Sequence, residues 1–342
     1  MFSDAIKRAL ETEVAGQPRA VNSVVRGVTR VISGLTPRER TICSYLFVGP
    51  SGTGKTHVVQ SLSRILHGDE RRMIVVDCSH LVRNDPWLAL AAQLTPLFAT
   101  SSFNGQRAVE TPPLSIICIQ HLERGPKELS RGLAATLKTG QVMLPQGRQG
   151  ILSNCLVFLT TGLCTGEILD ETTPIGFSGA QGDINDDEEE GRIYQLCLDQ
   201  AEENFGYDLV GLLDGLIVFH RLEEEHLGDI LDRRFQRLNQ WLATRGFRCD
   251  LLSAARDFLL ERGRRNLRRG TRDLVRAHQR LVEFPLADLM VSGRIGPGGR
   301  VVVDRRNDEE HLHFTVKEGE PAACGHGPQI HTRHVPVERQ RV

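Results

Sequence analysis

The sequence predicts an α/β protein with a parallel sheet, followed by a smaller and mostly helical domain. Over the first 222 residues, short apolar runs alternate with segments of helical periodicity, which is typical of a parallel sheet covered by helices. A glycine-rich segment between one such run and a helix indicates a phosphate-binding loop. From Glu223 to about Gly293 the pattern is almost entirely helical.

The predicted elements follow one another with clear breaks. Residues 3–34 predict two helices separated at Gly16, and residues 81–98 predict another helix. Five apolar runs predict the strands of the sheet, and they are 42–48, 73–76, 115–119, 156–160 and 216–219. The segment 165–191 contains the acidic run Asp186–Glu190 and predicts a solvated surface loop.

Three parts are expected along the chain: a large domain at 1–222, a small helical domain at 223–317 and a tail at 318–342. Two short alternating runs at 300–303 and 311–317 predict a hairpin that ends the small domain. The tail is rich in Pro, Gly, His and Arg, a composition that favours disorder.

Composition excludes several classes of protein. Lys and Arg number 42 against 43 Asp and Glu, for a net charge of −1, so no overall charge attracts the chain to nucleic acid or a membrane. No apolar run approaches the ~18 residues of a membrane span, and charges interrupt the first residues, unlike a secretory signal. The eight cysteines are scattered without a CxxC pair, which predicts buried free thiols in a cytoplasmic protein.

The glycine-rich segment has the pattern GxxxxGK[ST]. Its residues are Gly49, Pro50, Ser51, Gly52, Thr53, Gly54, Lys55 and Thr56. Glycines permit positive φ, so successive N–H groups can point into one concavity, and the next helix adds a dipole that favours anions. Lys55 is expected to reach the β- and γ-phosphates of ATP, and the Thr56 hydroxyl to ligate Mg²⁺. The alternative is a glycine-rich turn that binds nothing.

The strand at 114–119 ends in an unusual pair. Gln120 and His121 occupy the place where an Asp-Glu pair is expected in such an ATPase. Gln120 has no carboxylate to help hold Mg²⁺, whereas the imidazole of His121 accepts a proton near neutral pH. His121 is therefore the candidate catalytic residue, with a polar strand end of no catalytic part as the alternative. Glu123 is not assigned a role.

Several segments resemble, in the same order, those of the Clp-type AAA+ ATPases and chaperones, most closely their second ATPase module. The matches run from about residue 10 to 305 and include VAGQPRAV at 14–21, YLFVGPSGTGKT at 45–56, IICIQHLERGPKEL at 116–129, LLDGLIVFH at 212–220 and GTRDLVRA at 270–277. The resemblance implies an αβα AAA+ core with a small helical lid domain. It also implies that Val14 and Ala15 lie beside the adenine and that Arg272 contacts the nucleotide as the second sensor.

The chain departs from that family at several positions. Gln120 and His121 replace the Walker B pair, the sensor-one position falls on Gly162, and the arginine-finger position falls on Leu212. The aromatic pore loop is missing, which leaves Phe98 to present one aromatic ring, and neither a protease-docking tripeptide nor an N-terminal substrate domain is seen. The resemblance thus implies ATP binding with slow or lost hydrolysis, because the groups that stabilise the transition state are altered.

Three functions are compatible with these residues. The first is an ATP- and Mg²⁺-binding protein with slow or lost hydrolysis, which assembles with copies of itself and with protein partners according to its nucleotide state. The second is an active AAA+ ATPase that remodels protein substrates, with His121 as an unusual base. The third is a non-enzymatic regulatory or structural protein with a relic loop.

Two other sites are considered and disfavoured. Eight arginines within 261–280 resemble a nucleic-acid patch, but the net charge is near zero and Arg272 already has a role implied by the resemblance. The tail contains Cys324, His326, His331 and His334, whose spacing fits no standard zinc site.

Overall fold

The computed structural model describes residues 2–33, 43–81, 85–101, 108–110, 114–152, 155–169, 186–264, 270–296, 298–306, 310–317 and 333–335. The chain divides into two compact units, an N-terminal unit at 1–221 and a C-terminal unit at 222–342. None of the helices in the described ranges is both long enough and apolar enough to span a bilayer.

The N-terminal unit is built on a parallel sheet. Its described strands are β1 (Cys43–Val48), β2 (Met73–Asp77), β3 (Ala108–Glu110), β4 (Ser115–Gln120), β5 (Gln141–Met143), β6 (Gln149–Ile151), β7 (Cys155–Thr161) and β8 (Gly215–Val218). Five of these strands pair in parallel in the order β2–β4–β7–β1–β8. The predicted α/β sheet is confirmed. Strands β5 and β6 form an antiparallel hairpin, and β3 pairs with β6 in parallel.

Helices cover both faces of this sheet. The described helices of the unit are α1 (Phe2–Glu13), α2 (Pro18–Ile32), α3 (Lys55–His67), α4 (Pro86–Leu94), α5 (Lys127–Thr139), α6 (Thr165–Leu169), α7 (Asp186–Phe205) and α8 (Tyr207–Val210). Alternate strand residues enter two separate cores: Leu46 and Val48 belong to one, and Phe47 belongs to the other. Because successive side chains of a strand point to opposite faces, the buried strands are apolar throughout.

The acidic run departs from the prediction. The sequence predicts a solvated loop at Asp186–Glu190, whereas the structure places the run in the first turns of α7. Carboxylates near a helix N-terminus are stabilised by the helix dipole, and Glu190 pairs with Arg19. Further along α7, Ile193 and Cys197 enter the core. Residues 170–185, from the same predicted loop, lie outside the described part.

Phe98 is also placed differently from the prediction. It lies in a 3₁₀ segment, Thr95–Ser101, and its side chain is fully buried. A Cβ atom on Gly150 would approach the Phe98 ring to 2.5 Å, so the ring packs directly on the backbone of β6. Phe98 is a core residue and does not present an aromatic ring to a substrate.

The C-terminal unit combines helices with a second sheet. Its described elements are α9 (Glu224–Ala243), β9 (Arg248–Leu251), α10 (Ser253–Arg264), α11 (Arg272–His278), α12 (Phe284–Val291), β10 (Arg300–Asp304), β11 (His313–Lys317) and β12 (Arg333–Val335). A π-helical turn at Gln279–Glu283 joins α11 to α12. The predicted hairpin is confirmed, because β10 and β11 pair in antiparallel fashion.

Two strands of this unit contradict the sequence-based expectation. β9 lies within the stretch predicted to be almost entirely helical and pairs in parallel with β10. Its N–H and C=O groups at Cys249 also bond to the Asn239 side chain at 2.9 and 2.8 Å. β12 lies in the predicted disordered tail and pairs with β11. The remaining tail residues fall outside the described part.

Candidate functional site

The loop between β1 and α3 has a backbone that glycine adopts most easily. The φ angles of Gly49, Gly52 and Gly54 are +137°, +82° and +102°. A Cβ atom on Gly49 would lie 2.5 Å from the carbonyl oxygen of Phe219, and the Phe219 N–H donates to the Val48 oxygen at 2.8 Å. The loop is therefore packed against the backbone that follows β8, and Gly49 allows this approach because it has no side chain.

Lys55 lies over the carbonyl groups of the same loop. Its Nζ donates to the oxygens of Gly49 and Pro50 at 2.5 and 2.7 Å. The buried Thr53 hydroxyl also donates to the Pro50 oxygen, at 2.9 Å. The ammonium group and the N-terminus of α3 thus bring positive charge to one place, which is the chemistry that a polyphosphate requires.

The end of β4 lies against the start of α3. Gln120 Nε2 donates to the Thr56 hydroxyl at 3.2 Å, so the structure brings together the two residues that the sequence assigns to one site. In the neighbouring strand, Asp77 is paired in register with Gln120. The Thr56 hydroxyl fits the role of a Mg²⁺ ligand, but the side chain that touches it is a neutral amide.

Asp77 carries negative charge at the same edge of the sheet. Its Oδ1 accepts hydrogen bonds from the Ser79 N–H and hydroxyl at 2.9 and 2.6 Å. Partial burial opposes the charged form, but the bonds from Ser79 outweigh it, and His121 contributes in the same direction. The pKa of the Asp77 carboxyl is therefore held below its usual value, so Asp77 is ionised at neutral pH.

Gln120, His121, Glu123 and Gly162 form what we call the strand-end cluster. His121 follows β4 with a left-handed backbone, φ 55° and ψ 47°. Its Nδ1 lies 3.6 Å from Glu123 Oε1. A Cβ atom on Gly162, just after β7, would lie 3.4 Å from the same oxygen. Glu123 is the residue of this cluster to which the sequence analysis assigns no role, and its one signal in the sequence is a carboxylate three residues after the end of β4.

The segment at Val14 and Ala15 joins α1 to α2 and follows a residue that contacts α3. Val14 is buried, and the preceding Glu13 carbonyl lies 3.1 Å from Nε2 of His57 in α3. Gln17, three residues after Val14, exchanges two hydrogen bonds with the backbone that follows β8. These contacts hold the segment next to the helix that begins at Lys55. Its contact with adenine stays a prediction.

The predicted arginine-finger position carries an apolar residue with structural contacts. Leu212 is half-buried and packs against the core of the sheet. Asp214, two residues later, accepts a hydrogen bond from the Ser44 N–H at 2.8 Å and pairs with Arg30 at 2.6 Å. Asp214 thus connects the start of β1 to α2. Leu212 supplies no positive charge to any site.

Arg272 begins α11 in the C-terminal unit and its side chain is exposed. Its contact with the nucleotide stays a prediction. Within the arginine-rich segment, Arg262 pairs with Glu310 at 3.8 Å and lies 5.0 Å from the Phe258 ring centroid. Residues 265–269 lie outside the described part. Such pairing reduces the positive charge that this segment offers to a nucleic acid.

The cysteine prediction is confirmed for the described residues. Seven cysteines are free and buried: Cys43, Cys78, Cys118, Cys155, Cys164, Cys197 and Cys249. Over the described residues, no group of three or more His, Cys, Asp or Glu side chains is arranged to hold a metal ion. The side chains of the tail residues Cys324, His326, His331 and His334 lie outside that part of the chain.

Comparison with known proteins gives matches over nearly all of the chain. A family model described as "AAA domain (Cdc48 subfamily)" matches residues 40–214. A second one, described as "C-terminal, D2-small domain, of ClpB protein", matches residues 222–303. The first match lies in the N-terminal unit and the second in the C-terminal unit.

Curated relatives are longer than this chain. The ClpC ATP-binding subunit of the ATP-dependent Clp protease from Staphylococcus aureus is 28% identical over 92% of this chain and 38% of the relative. The chaperone protein ClpB from Rhodopseudomonas palustris is 29% identical over 87% of this chain and 32% of the relative. The chain therefore spans about a third of the length of these relatives.

Two solved structures share the fold. A closed-state cryo-EM reconstruction of Hsp104 with ATPγS and FITC casein superposes with a TM-score of 0.69 at 23% identity, over 91% of this chain and 51% of the other. The Saccharomyces cerevisiae Hsp104:casein complex in an extended conformation gives a TM-score of 0.71 at 23% identity, over 91% and 52%.

Proposed function

Because this chain belongs to the AAA domain family (Cdc48 subfamily), with a Clp-type second module, we propose that it binds ATP with Mg²⁺ and hydrolyses it slowly or not at all. The observation that carries this proposal is the contact between Gln120 and Thr56. It joins a complete phosphate-binding loop to a strand end that lacks its carboxylates. The complete loop favours nucleotide binding, and the lack of carboxylates at the strand end opposes rapid turnover.

Binding is supported by the loop at 49–56. The positive φ angles at its glycines let backbone N–H groups converge on a phosphate, and Lys55 adds a full positive charge. Val14 and Ala15 on one side, and Arg272 in the C-terminal unit, are proposed to complete the nucleotide site. Thr56 would hold Mg²⁺, which supplies charge neutralisation at the phosphates when it is bound.

Slow turnover is supported by three substitutions. Gln120 gives no outer carboxylate to keep a metal firmly at the γ-phosphate. His121 can accept a proton but, when neutral, brings no negative charge to orient the attacking water. Leu212 gives no cation to the transition state, a contribution that reaches about 10³–10⁵ in rate in GTPases. An identical subunit with the same Leu212 cannot supply that cation from this position.

Assembly is the proposed use of the bound nucleotide. Two relatives are described as an ATP-binding subunit of a protease and as a chaperone protein. Two structural neighbours were solved with casein. We therefore propose that nucleotide controls the association of this chain with copies of itself and with a protein partner or substrate.

The decisive experiment is a titration of the purified chain with ATP and Mg²⁺, followed by measurement of phosphate release. Binding with slow or no phosphate release supports the proposal. Fast release that is lost in Lys55→Ala would instead favour an active remodelling ATPase, for which FITC casein is a direct test substrate. No binding at any ATP concentration would favour a relic loop and a non-enzymatic role.

Assembly is tested separately by analytical ultracentrifugation. We expect the sedimentation coefficient at micromolar protein to rise with saturating ATP and Mg²⁺, and to stay unchanged in Lys55→Ala. The reason is that ligand binding shifts any equilibrium toward the state that binds it more tightly. A monomer at saturating ATP would contradict nucleotide-dependent self-assembly without affecting the binding proposal.

A further inference from the structure

Glu123 is the part of the strand-end cluster that the proposed function leaves unexplained. Its Oε2 is buried and has no hydrogen-bond partner among the described residues. Its Oε1 faces His121 Nδ1 at 3.6 Å and Arg124 Nε at 3.9 Å. Burial of a carboxylate oxygen without a hydrogen-bond partner costs free energy. The position of the Glu123 carboxylate at this edge of the sheet therefore requires a physical reason.

Gly162 lies beside this carboxylate. β4 and β7 are neighbours in the sheet, so the residues that follow them meet at the same edge. A Cβ atom at 162 would lie 3.4 Å from Glu123 Oε1, which is an ordinary van der Waals distance, so only a side chain longer than that of alanine could crowd the carboxylate. The lack of a side chain at 162 therefore leaves the Glu123 carboxylate uncrowded on this side.

His121 is the residue of the cluster whose ring a carboxylate can orient. The contact with Glu123 is made through Nδ1, which leaves Nε2 on the opposite side of the imidazole. A proton taken up at Nε2 would place positive charge on the ring that faces the Glu123 carboxylate. The 3.6 Å contact is longer than a hydrogen bond, and such contacts often tighten when substrate binds.

From this arrangement we infer that Glu123 is a positioning residue, which holds His121 as the base for the residual hydrolysis of ATP in the space that Gly162 leaves open. The inference rests on the proposed function. Water forms a bond to the γ-phosphorus while the bond from that phosphorus to the bridging oxygen breaks. The bridging oxygen leaves with ADP and keeps the electron pair, and the water proton passes to His121 Nε2 and then to solvent.

The first test compares the Glu123→Gln variant with the unmodified full-length chain. We expect kcat for ATP to fall about 10-fold or more, with KM and the affinity for MgADP changed by less than about 2-fold, since Glu123 acts on His121 and not on the phosphates. Affinity for MgADP with fluoroaluminate, which mimics the transition state, should fall together with kcat. This second readout is a binding measurement and does not depend on turnover.

Two further variants separate positioning from a structural role. Glu123→Asp keeps the charge and should recover part of the lost rate. Gly162→Val should push the Glu123 carboxylate aside and lower kcat to a similar level, and combining it with Glu123→Gln should add little more. The matched control is Glu128→Gln, an exposed glutamate in the first turn of α5, which should behave as the unmodified chain.

The outcomes also distinguish this inference from the proposed function. If the unmodified chain fails to bind ATP, the proposed function itself is wrong. If it binds ATP but releases no more phosphate than Lys55→Ala, no base acts and the inference fails alone. The inference also fails if Glu123→Gln keeps the full rate, or if it weakens MgADP and fluoroaluminate binding equally.

Discussion

The phosphate-binding loop at 49–56 and the strand-end cluster lie at one edge of the same sheet, yet only the loop keeps the residues expected of an ATPase. The two meet at the hydrogen bond between Thr56 and Gln120. In the proposed function the loop binds phosphate through backbone geometry and one lysine. The cluster must supply charge and a base from side chains, and it holds Gln120, His121 and Gly162 at the decisive positions.

The proposed function implies that binding and hydrolysis can be lost separately in this fold. Backbone N–H groups stay in place as long as the loop keeps its glycines and its contact with Phe219. Side-chain chemistry, in contrast, changes with a single substitution and leaves the sheet intact. Tight nucleotide binding with little turnover therefore requires only local changes at the ends of β4 and β7.

The largest expected effect is on ATP affinity in Lys55→Ala. The substitution removes the cation placed for the phosphates, and charge-assisted hydrogen bonds contribute about 1.5–3 kcal/mol each. We expect binding to weaken at least ~100-fold, as measured by isothermal titration calorimetry. Lys138→Ala, at the exposed end of α5, is the control. Equal affinity in the two variants would show that the loop is not the binding site.

Gly49→Ala tests whether the phosphate-binding loop depends on its close backbone packing. A methyl group there would meet the Phe219 carbonyl oxygen, at a φ of +137°. We expect the free energy of unfolding to fall by about 2–4 kcal/mol. Trp87 fluorescence in a Trp241→Phe background would report on the N-terminal unit alone.

Gly191→Ala, within α7, is the matched control for that experiment. A Cβ atom there meets nothing within 4 Å, so alanine should stabilise the helix by up to about 1 kcal/mol. If Gly49→Ala were as stable as this control, the close packing of the loop on the backbone after β8 would be wrong.

Restoring the missing carboxylates tests the proposal that the side chains of the strand-end cluster limit hydrolysis. Gln120→Asp combined with His121→Glu should raise kcat by about 10-fold or more, because it returns charge beside Thr56 and to the attacking water. The gain should be partial, since Leu212 still supplies no cation. In this background Glu123→Gln should no longer lower the rate, because His121 has been replaced.

Gln120→Asn, which shortens the amide without adding charge, should give no gain and serves as the control for the restoring pair. A different result would reassign the site. If the unmodified chain hydrolyses ATP rapidly and His121→Ala leaves that rate unchanged, another carboxylate must act in place of the strand-end cluster.

The smallest effect concerns Cys118, two residues before Gln120. Burial raises the pKa of its thiol to about 12, so at pH 8 it stays protonated and should resist iodoacetamide in the folded chain. Mass spectrometry should detect its alkylation only after unfolding. Rapid native labelling would mean that β4 is disrupted near its end, and that the altered residues reflect a distorted strand.

The same raised pKa has a consequence for stability. The unfolded thiol ionises near its ordinary value of 9.0, well below the folded one. Above about pH 9 the unfolded state binds fewer protons than the folded state, so the free energy of unfolding decreases as pH rises. Cys118→Ala should remove this contribution, as measured by denaturant titration between pH 8 and 10.

Much of the fold and half of the site follow from the sequence alone. The five apolar runs predict the parallel strands, because a strand buried on both faces must be apolar at every position. The loop at 49–56 is equally readable, since the glycines, Lys55 and Thr56 are consecutive and their chemistry is local. The acidic run at Asp186–Glu190 is misread because a helix start and a solvated loop favour the same charged residues.

Only the tertiary structure decides which distant residues share a site. Thr56 and Gln120 are 64 positions apart, and they meet because the sheet order places β4 two strands from β1. The position of Glu123 beside Gly162 depends on the pairing of β4 with β7. The strand β9 likewise depends on its pairing with β10. Local patterns are set by the chemistry of neighbouring residues, whereas these contacts depend on how the strands pair, which no short segment encodes.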